Sequence, residues 1–219
     1  RQRAETFLRV NEERLSLALH GADLGLWDWN IPTGETTFNE RWAEMLGYRL
    51  EEIDPHTQSL KALVHPNDLP NMEALLESHL NGETEFFEAE YRLRHKSGDW
   101  IWVLDRGCVI SRDASGKPLR ACGTHLDITE RKRGEREITR MRHYLQNVIN
   151  SMPSTLIGVD ENGTITHWNQ EAARVTGLPT EEAEGTPFHV AYPLLQRIAD
   201  RIEKAVREGT PLVSERLQT

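Results

Sequence analysis

Cysteine is scarce: Cys108 and Cys122 are the only two in 219 residues, and two thiols cannot build a disulfide framework. Their spacing matches no zinc motif, and a chain without a disulfide scaffold fits a reducing cytosol. Long apolar runs are lacking too. No stretch approaches the roughly 18 consecutive apolar residues that a membrane-spanning helix needs. The opening residues, Arg1-Gln2-Arg3-Ala4-Glu5, contain neither an initiator Met nor the apolar segment of a secretory signal, so the chain reads as a fragment. Positive charge is in deficit: 26 Lys and Arg stand against 35 Asp and Glu, a formal net charge of −9. Such a field repels polyanions, which argues against nucleic acid or an anionic membrane as partner. The one basic run, Arg131-Lys132-Arg133 with Arg136, Arg140 and Arg142, alternates with Glu130, Glu135 and Glu137 and reads as a solvated helix face.

Catalytic signatures are missing as well. There is no Gly-x-Ser-x-Gly elbow, no Gly-x-x-x-x-Gly-Lys-Ser/Thr phosphate loop and no kinase-type Gly-rich loop. The 9 histidines are scattered with no pair three to five residues apart, so no metal site is expected. No residue is expected to be catalytic, and the fragment reads as a non-enzyme.

What the chain does contain is an internal repeat, the feature to find before assigning elements. Asn39-Glu40-Arg41-Trp42-Ala43-Glu44-Met45-Leu46-Gly47-Tyr48 precedes Asn169-Gln170-Glu171-Ala172-Ala173-Arg174-Val175-Thr176-Gly177-Leu178 by 169 − 39 = 130 positions, with Asn and Gly in register. The same offset aligns Glu51-Glu52 with Glu181-Glu182. Two copies of one fold follow, since this period is far too long for a solenoid. Each copy opens on a hairpin: residues 24–30 and 35–38 around Pro32-Thr33-Gly34, then 155–159 and 164–168 around Asp160-Glu161-Asn162-Gly163. Asn39 and Asn169 stand where a helix N-cap belongs, and Gly47 and Gly177 where a left-handed residue ends a short helix.

Downstream in the first copy, His65-Pro66-Asn67-Asp68 breaks the chain and is expected to cap a helix over about residues 69–80, stopped by Asn81-Gly82. Three strand-like runs follow, 85–94, 100–111 and 119–129, separated by turn sequences. The order predicts an α+β fold, a five-stranded antiparallel sheet with helices on one face. Between the copies Ile138, Met141, Leu145, Val148 and Met152 recur at spacings of three and four. That is an a/d seam of period 3.5, preceded by the Asp-x-x-Glu capping pattern Asp127 to Glu130. It predicts a parallel homodimer, whereas a helix packed on its own domain would show a similar stripe. A stripe of Leu8, Leu15 and Leu19 is compatible with another helix before the first copy.

These residues resemble a known family. Residues 24–30 with Pro32-Thr33-Gly34, then Val64-His65-Pro66-Asn67-Asp68, Gly98-Asp99-Trp100-Ile101-Trp102-Val103 and Gly123-Thr124-His125-Leu126-Asp127-Ile128-Thr129-Glu130-Arg131-Lys132 are similar to a PAS domain with its C-terminal PAC segment. Asp127-Ile128-Thr129 resembles the family's junction between the final strand and the output helix. From Ser151-Met152-Pro153 onward the chain resembles a second PAS domain, whose last two strands are missing from the sequence. The resemblance implies a helix over 1–23, a first PAS domain over 24–129, a linker helix over 130–152 and a second PAS domain over 153–219. It also implies a cytoplasmic sensory module of a signal-transduction protein, a sensor histidine kinase with its kinase core beyond Thr219 on the same chain. A cyclic-dinucleotide synthase or hydrolase is the alternative output, and a ligand-free dimerisation module the third reading.

Pockets in such domains hold flavin, haem or small metabolites. A photoreactive flavin needs a thiol on the helix beside it, whereas both cysteines fall in strands. Haem needs an axial ligand, and His79 stands at the last turn of its helix, where a capping or exposed role is expected. No cofactor is therefore expected, and a small-molecule ligand remains open. Aromatic residues Trp27, Trp29, Phe38, Trp42, Tyr91, Trp102 and Trp168 are candidate pocket lining, although the first copy's set, with Trp100, would also fill a core. His189 with Trp168 could flank a ligand in the second copy. Cys108 and Cys122 are expected opposite each other across a hairpin as buried, reduced thiols.

Overall fold

A computed structural model of the chain describes residues 21–191 and short pieces of the segment before them. The chain divides into two compact units after residue 135, and each is described by itself.

In the first unit β1 (Gly25–Asn30) and β2 (Thr36–Phe38) form the expected hairpin, with Trp27 opposite Phe38. Helices α1 (Glu40–Met45), α2 (Thr57–Leu63) and α3 (Leu69–Leu80) follow, with a 3-10 turn at Leu50–Glu52. Then come β3 (Phe87–Arg94), β4 (Trp100–Arg112) and β5 (Pro118–Asp127). The sheet is antiparallel in the order β2-β1-β5-β4-β3. The last strand therefore lies at the centre, between β1 and β4.

Period-two alternation decides which residues face inward. In β3 the buried set is Phe87, Ala89, Tyr91 and Leu93, with the charged residues between them outside. They meet Trp42, Leu46 and Val103, all fully buried. Gly107 and Gly123 face each other across β4 and β5, and a Cβ on either would run into the indole of Trp27. Glycine at both positions lets the ring lie flat against the two strands.

One side chain organises each hairpin. Asn39 Oδ1 accepts from the N–H of Leu26 at 2.8 Å and of Trp42 at 3.0 Å, while Nδ2 donates to the Leu24 carbonyl at 3.2 Å. Asn169 Oδ1 accepts from the N–H of Leu156 at 2.9 Å and of Ala172 at 3.0 Å, and Nδ2 donates to Ser154 at 2.9 Å. Every partner is displaced by the same 130 positions. Asn169 adds a bond to the carbonyl of Ile149 at 3.2 Å.

The second unit continues from α4 (Thr129–Ser151) with the hairpin β6 (Ile157–Val159) and β7 (Ile165–Trp168). Helices α5 (Gln170–Thr176), α6 (Thr180–Ala183) and α7 (Phe188–Ala191) follow. Gly177 has φ +74 and ends α5 in the left-handed conformation, as expected. Ile165, Trp168, Ala172, Ala183 and Phe188 form this unit's core. The C-terminal segment on which the reading of a shortened second copy rests, and Leu8 and Leu15 of the N-terminal stripe, lie outside the described residues.

Three local expectations need correction. Asp68 occupies the N-cap of α3 but makes no cap bond; its carboxylate turns to Arg92 instead. β5 stops at Asp127 rather than at residue 129, because Asp127 Oδ1 accepts the N–H of Thr129 at 2.8 Å and turns the chain into α4. The reciprocal half of the capping pattern is not made, since Glu130 pairs with Arg133 at 2.7 Å.

Candidate functional site

The inward faces of β4 and β5 carry one polar residue each, Asp105 and His125, which pair across the strands and are 3% and 0% exposed. Burying them is costly unless their polar atoms are satisfied, and a directed chain of donors does so. Trp42 Nε1–H donates to His125 Nδ1 at 2.7 Å. An indole nitrogen only donates, so Nδ1 is the bare nitrogen of the imidazole and Nε2 carries the proton. That nitrogen lies 3.0 Å from the hydroxyl of Tyr91, which donates to Asp105 Oδ2 at 2.7 Å. Trp27 Nε1–H completes the set on Asp105 Oδ1 at 2.8 Å. Every donor points toward Asp105, and such aligned bonds polarise one another. Burial, and then the charge of Asp105, hold the Tyr91 phenol well above its ordinary pKa, so it serves as a fixed donor.

Asp105 also forms part of the wall of a cavity of ≈ 40 Å³ between the sheet, α2 and α3. Trp27, Trp29, Phe87, Leu60, Met72 and Leu76 supply its apolar surface, and Thr36, Thr57 and Lys61 its other polar groups. A water requires about 10 to 15 Å³ measured this way, so the space admits a few waters or one small molecule. Pockets for drug-sized ligands begin near 300 Å³. A flavin or haem does not fit this cavity.

On the opposite face of the sheet a second cluster surrounds the start of α4. Ile128 is buried, and its N–H donates to the Trp102 carbonyl at 2.8 Å. The Trp102 N–H donates to Thr129 Oγ1 at 3.0 Å. Lys132 and Arg92 each approach the Trp102 ring, 5.2 Å and 5.3 Å from its centroid, within cation–π range. Glu90 of β3 binds Lys132 at 2.6 Å and Arg131 at 2.5 Å, and these two contacts, Lys132 first, hold its carboxyl below the ordinary value. Arg92 grips Asp68 at 2.7 and 2.8 Å and lowers that carboxyl as well. The first turn of α4 is thus tied to β3 and β4, and β3 to the start of α3, whose Met72 and Leu76 wall the cavity.

The proposed aromatic lining divides accordingly. Trp27 and Trp29 reach the cavity. Phe38 and Trp42 stack on each other with ring centroids 4.0 Å apart, and Tyr91 is buried in the relay. Trp102 lies outside, as does Trp100, because Val103 and Asp105 take the inward positions of β4. Trp168 belongs to the second unit, buried with its Nε1–H on the Leu178 carbonyl at 3.1 Å. His189 is exposed. His79, expected in a capping or exposed role, is 4% exposed: Nε2 accepts the Val109 N–H at 3.1 Å and Nδ1 lies 3.0 Å from the Thr84 carbonyl. Both ring nitrogens are occupied by backbone, which leaves none for a haem iron. Cys108 and Cys122 do stand opposite each other, as free and half-buried thiols rather than buried ones. Burial, followed by the neighbouring Cys108, raises the Cys122 thiol pKa. Among the described residues no group of three His, Cys, Asp or Glu could hold a metal ion, and no helix is long and apolar enough to cross a membrane.

Sequence reasoning missed Asp105 and His125. The available signal was an Asp inside the otherwise apolar alternation of residues 101–109.

An antiparallel sheet closed by its own last strand, with helices over a small internal cavity and a helix leaving from the sheet, defines a sensory-module fold. The chain belongs to the PAS family and carries two of its domains in tandem: models described as PAS fold match residues 35–125 and 143–217. It is similar to the probable diguanylate cyclase DgcE of Escherichia coli K12, 25% identical over 91% of this chain, and to the two-component sensor PprA of Pseudomonas aeruginosa, 24% identical over 98% of this chain. It spans 19% and 23% of the length of those relatives. A solved structure described as a sensory box histidine kinase/response regulator from Burkholderia thailandensis is 34% identical, with TM-score 0.54, and matches over 61% of this chain and 98% of its own.

Proposed function

We propose that the chain is the sensory and dimerisation module of a cytoplasmic sensor histidine kinase, relaying ligand occupancy or redox state in the first domain through Asp127, Ile128 and Thr129 into α4. The observation that carries this reading is the joint itself. Trp102, Asp127 and Thr129 exchange hydrogen bonds at 2.8 to 3.0 Å where strand becomes helix, so a shift of β4 or β5 changes the angle at which α4 leaves. The relay asks of this joint a second arrangement that both cavity and output can bias. The seam supports dimerisation: Ile138, Met141 and Leu145 are 67%, 53% and 51% exposed on α4, with Val148 and Met152 continuing the a/d spacing, and a second copy would cover them.

The test compares Asp127→Ala with an equally destabilising substitution elsewhere in the first domain, in the intact parent protein. Output per folded molecule should become insensitive to stimulus only in Asp127→Ala, and hydrogen exchange should quicken in the first turns of α4. Unchanged exchange together with retained regulation would make Asp127 an ordinary surface carboxylate and sink the junction reading. A second reading, output through a cyclic-dinucleotide synthase or hydrolase, is favoured by the similarity to DgcE over 91% of this chain. The parent sequence after Thr219 separates the two.

A further inference from the structure

The cavity beside Asp105 specifies the chemistry of what it holds, and this inference rests on the sensory reading of that domain. Two ionisable groups reach the wall, Lys61 and Asp105. Lys61 is already neutralised, its Nζ 2.6 Å from Glu73 Oε1. Asp105 has a neutral imidazole, His125, beside it instead of a fixed cation. Its carboxylate accepts from Trp27 and Tyr91 and from the Nε2–H of His125 at 2.9 Å, all neutral donors, His125 because Trp42 donates to its Nδ1. A buried carboxylate, 3% exposed, therefore lines the cavity with one acceptor site to spare, since it offers about four lone-pair sites and the three donors named occupy three of them.

Three classes of ligand fail at this wall. An anion would meet the carboxylate at close range in low dielectric. A neutral apolar molecule would leave the charge uncompensated. Mg2+ or Ca2+ needs six or more oxygen ligands and a transition metal wants imidazole or thiolate, whereas the wall offers one carboxylate and two hydroxyls. A monovalent organic cation satisfies all that is present, because Trp27, Trp29 and Phe87 furnish aromatic surface that attracts positive charge and covers methyl groups. The ≈ 40 Å³ limits it to roughly two to four non-hydrogen atoms. We propose that the first domain binds a small protonated amine of the methylammonium to dimethylammonium class, its N–H donating to Asp105 and its methyl groups packed on the aromatic wall.

The test uses the 219-residue chain labelled with 15N at the tryptophan indoles, titrated with methylammonium chloride against sodium chloride at equal ionic strength, with ethanol and acetate as neutral and anionic probes of similar size. Methylammonium should shift the Trp27 indole resonance saturably and raise the melting temperature. Leu60→Phe, which fills the cavity and leaves the relay intact, should abolish both effects, and Asp105→Asn should weaken binding at least tenfold. Binding of ethanol or acetate as strong as that of methylammonium would overturn the cationic class while leaving the domain a ligand sensor. No saturable response to any probe would overturn the proposal too. In that case Leu60→Phe in the parent protein would decide the sensory reading separately, by whether regulated output changes.

Discussion

His125 Nε2 and Asp105 Oδ2 lie 2.9 Å apart across β4 and β5, and a third residue bridges the same two atoms. His125 reaches Tyr91, Tyr91 reaches Asp105, and Trp42 fixes the tautomer from the far side. The pair marks the one place where the inward face of the sheet is polar at its centre.

Tyr91→Phe should cost about 1 kcal/mol, because it removes a buried hydrogen bond to Asp105 while the His125 Nε2–H still reaches Asp105 Oδ2. Urea unfolding measures this, and far-ultraviolet circular dichroism should be unchanged. A loss below about 0.5 kcal/mol would mean that the relay adds little to folding.

Asn39→Ala removes a helix cap, a bond to Leu26 in the first strand and a bond to Leu24 just before it. The expected loss is about 2 kcal/mol, at the upper end of capping effects. Asn39→Asp keeps the acceptor that binds Leu26 and Trp42 but loses the donor to Leu24, so its cost should fall between those of Asn39→Ala and wild type in the same unfolding experiment.

Glu90 gives the joint a pH dependence of definite sign. Its carboxyl sits below its ordinary 4.5 in the folded chain because Lys132 and Arg131 bind the ionised form. A lowered carboxyl stabilises above the unfolded value and loses that contribution as pH falls through the folded one. The carboxyl 13C resonance of Glu90 should thus titrate below 4.5, and mutation of Lys132 to Met should move the midpoint upward. An unmoved midpoint would remove Lys132 from the joint.

Leu145→Asp places a carboxylate in the middle of the α4 seam. If two copies pair there, the unpaired charge should weaken association by about 3 kcal/mol, roughly a hundredfold in Kd. Sedimentation across a dilution series reads this directly, and an unchanged mass would assign the apolar stripe to packing within one chain.

Local rules made much of the architecture legible. The 130-residue offset, the caps at Asn39 and Asn169, the two hairpins and α3 over Leu69–Leu80 follow from turn residues and from periods of two and 3.6, which act between near neighbours. The order β2-β1-β5-β4-β3 does not, because it depends on which distant strand β5 finds. That step decided the candidate site. Asp105 and His125 become buried, satisfied groups only when Trp27 comes from 78 residues away and Trp42 from 83, and Trp102 turns out to face away from the cavity because its neighbours fill the inward positions. A polar residue in a strand can face solvent or core with equal local ease. Its fate rests on whether the tertiary structure brings donors and acceptors to meet it, since burial without them costs more than a single contact returns.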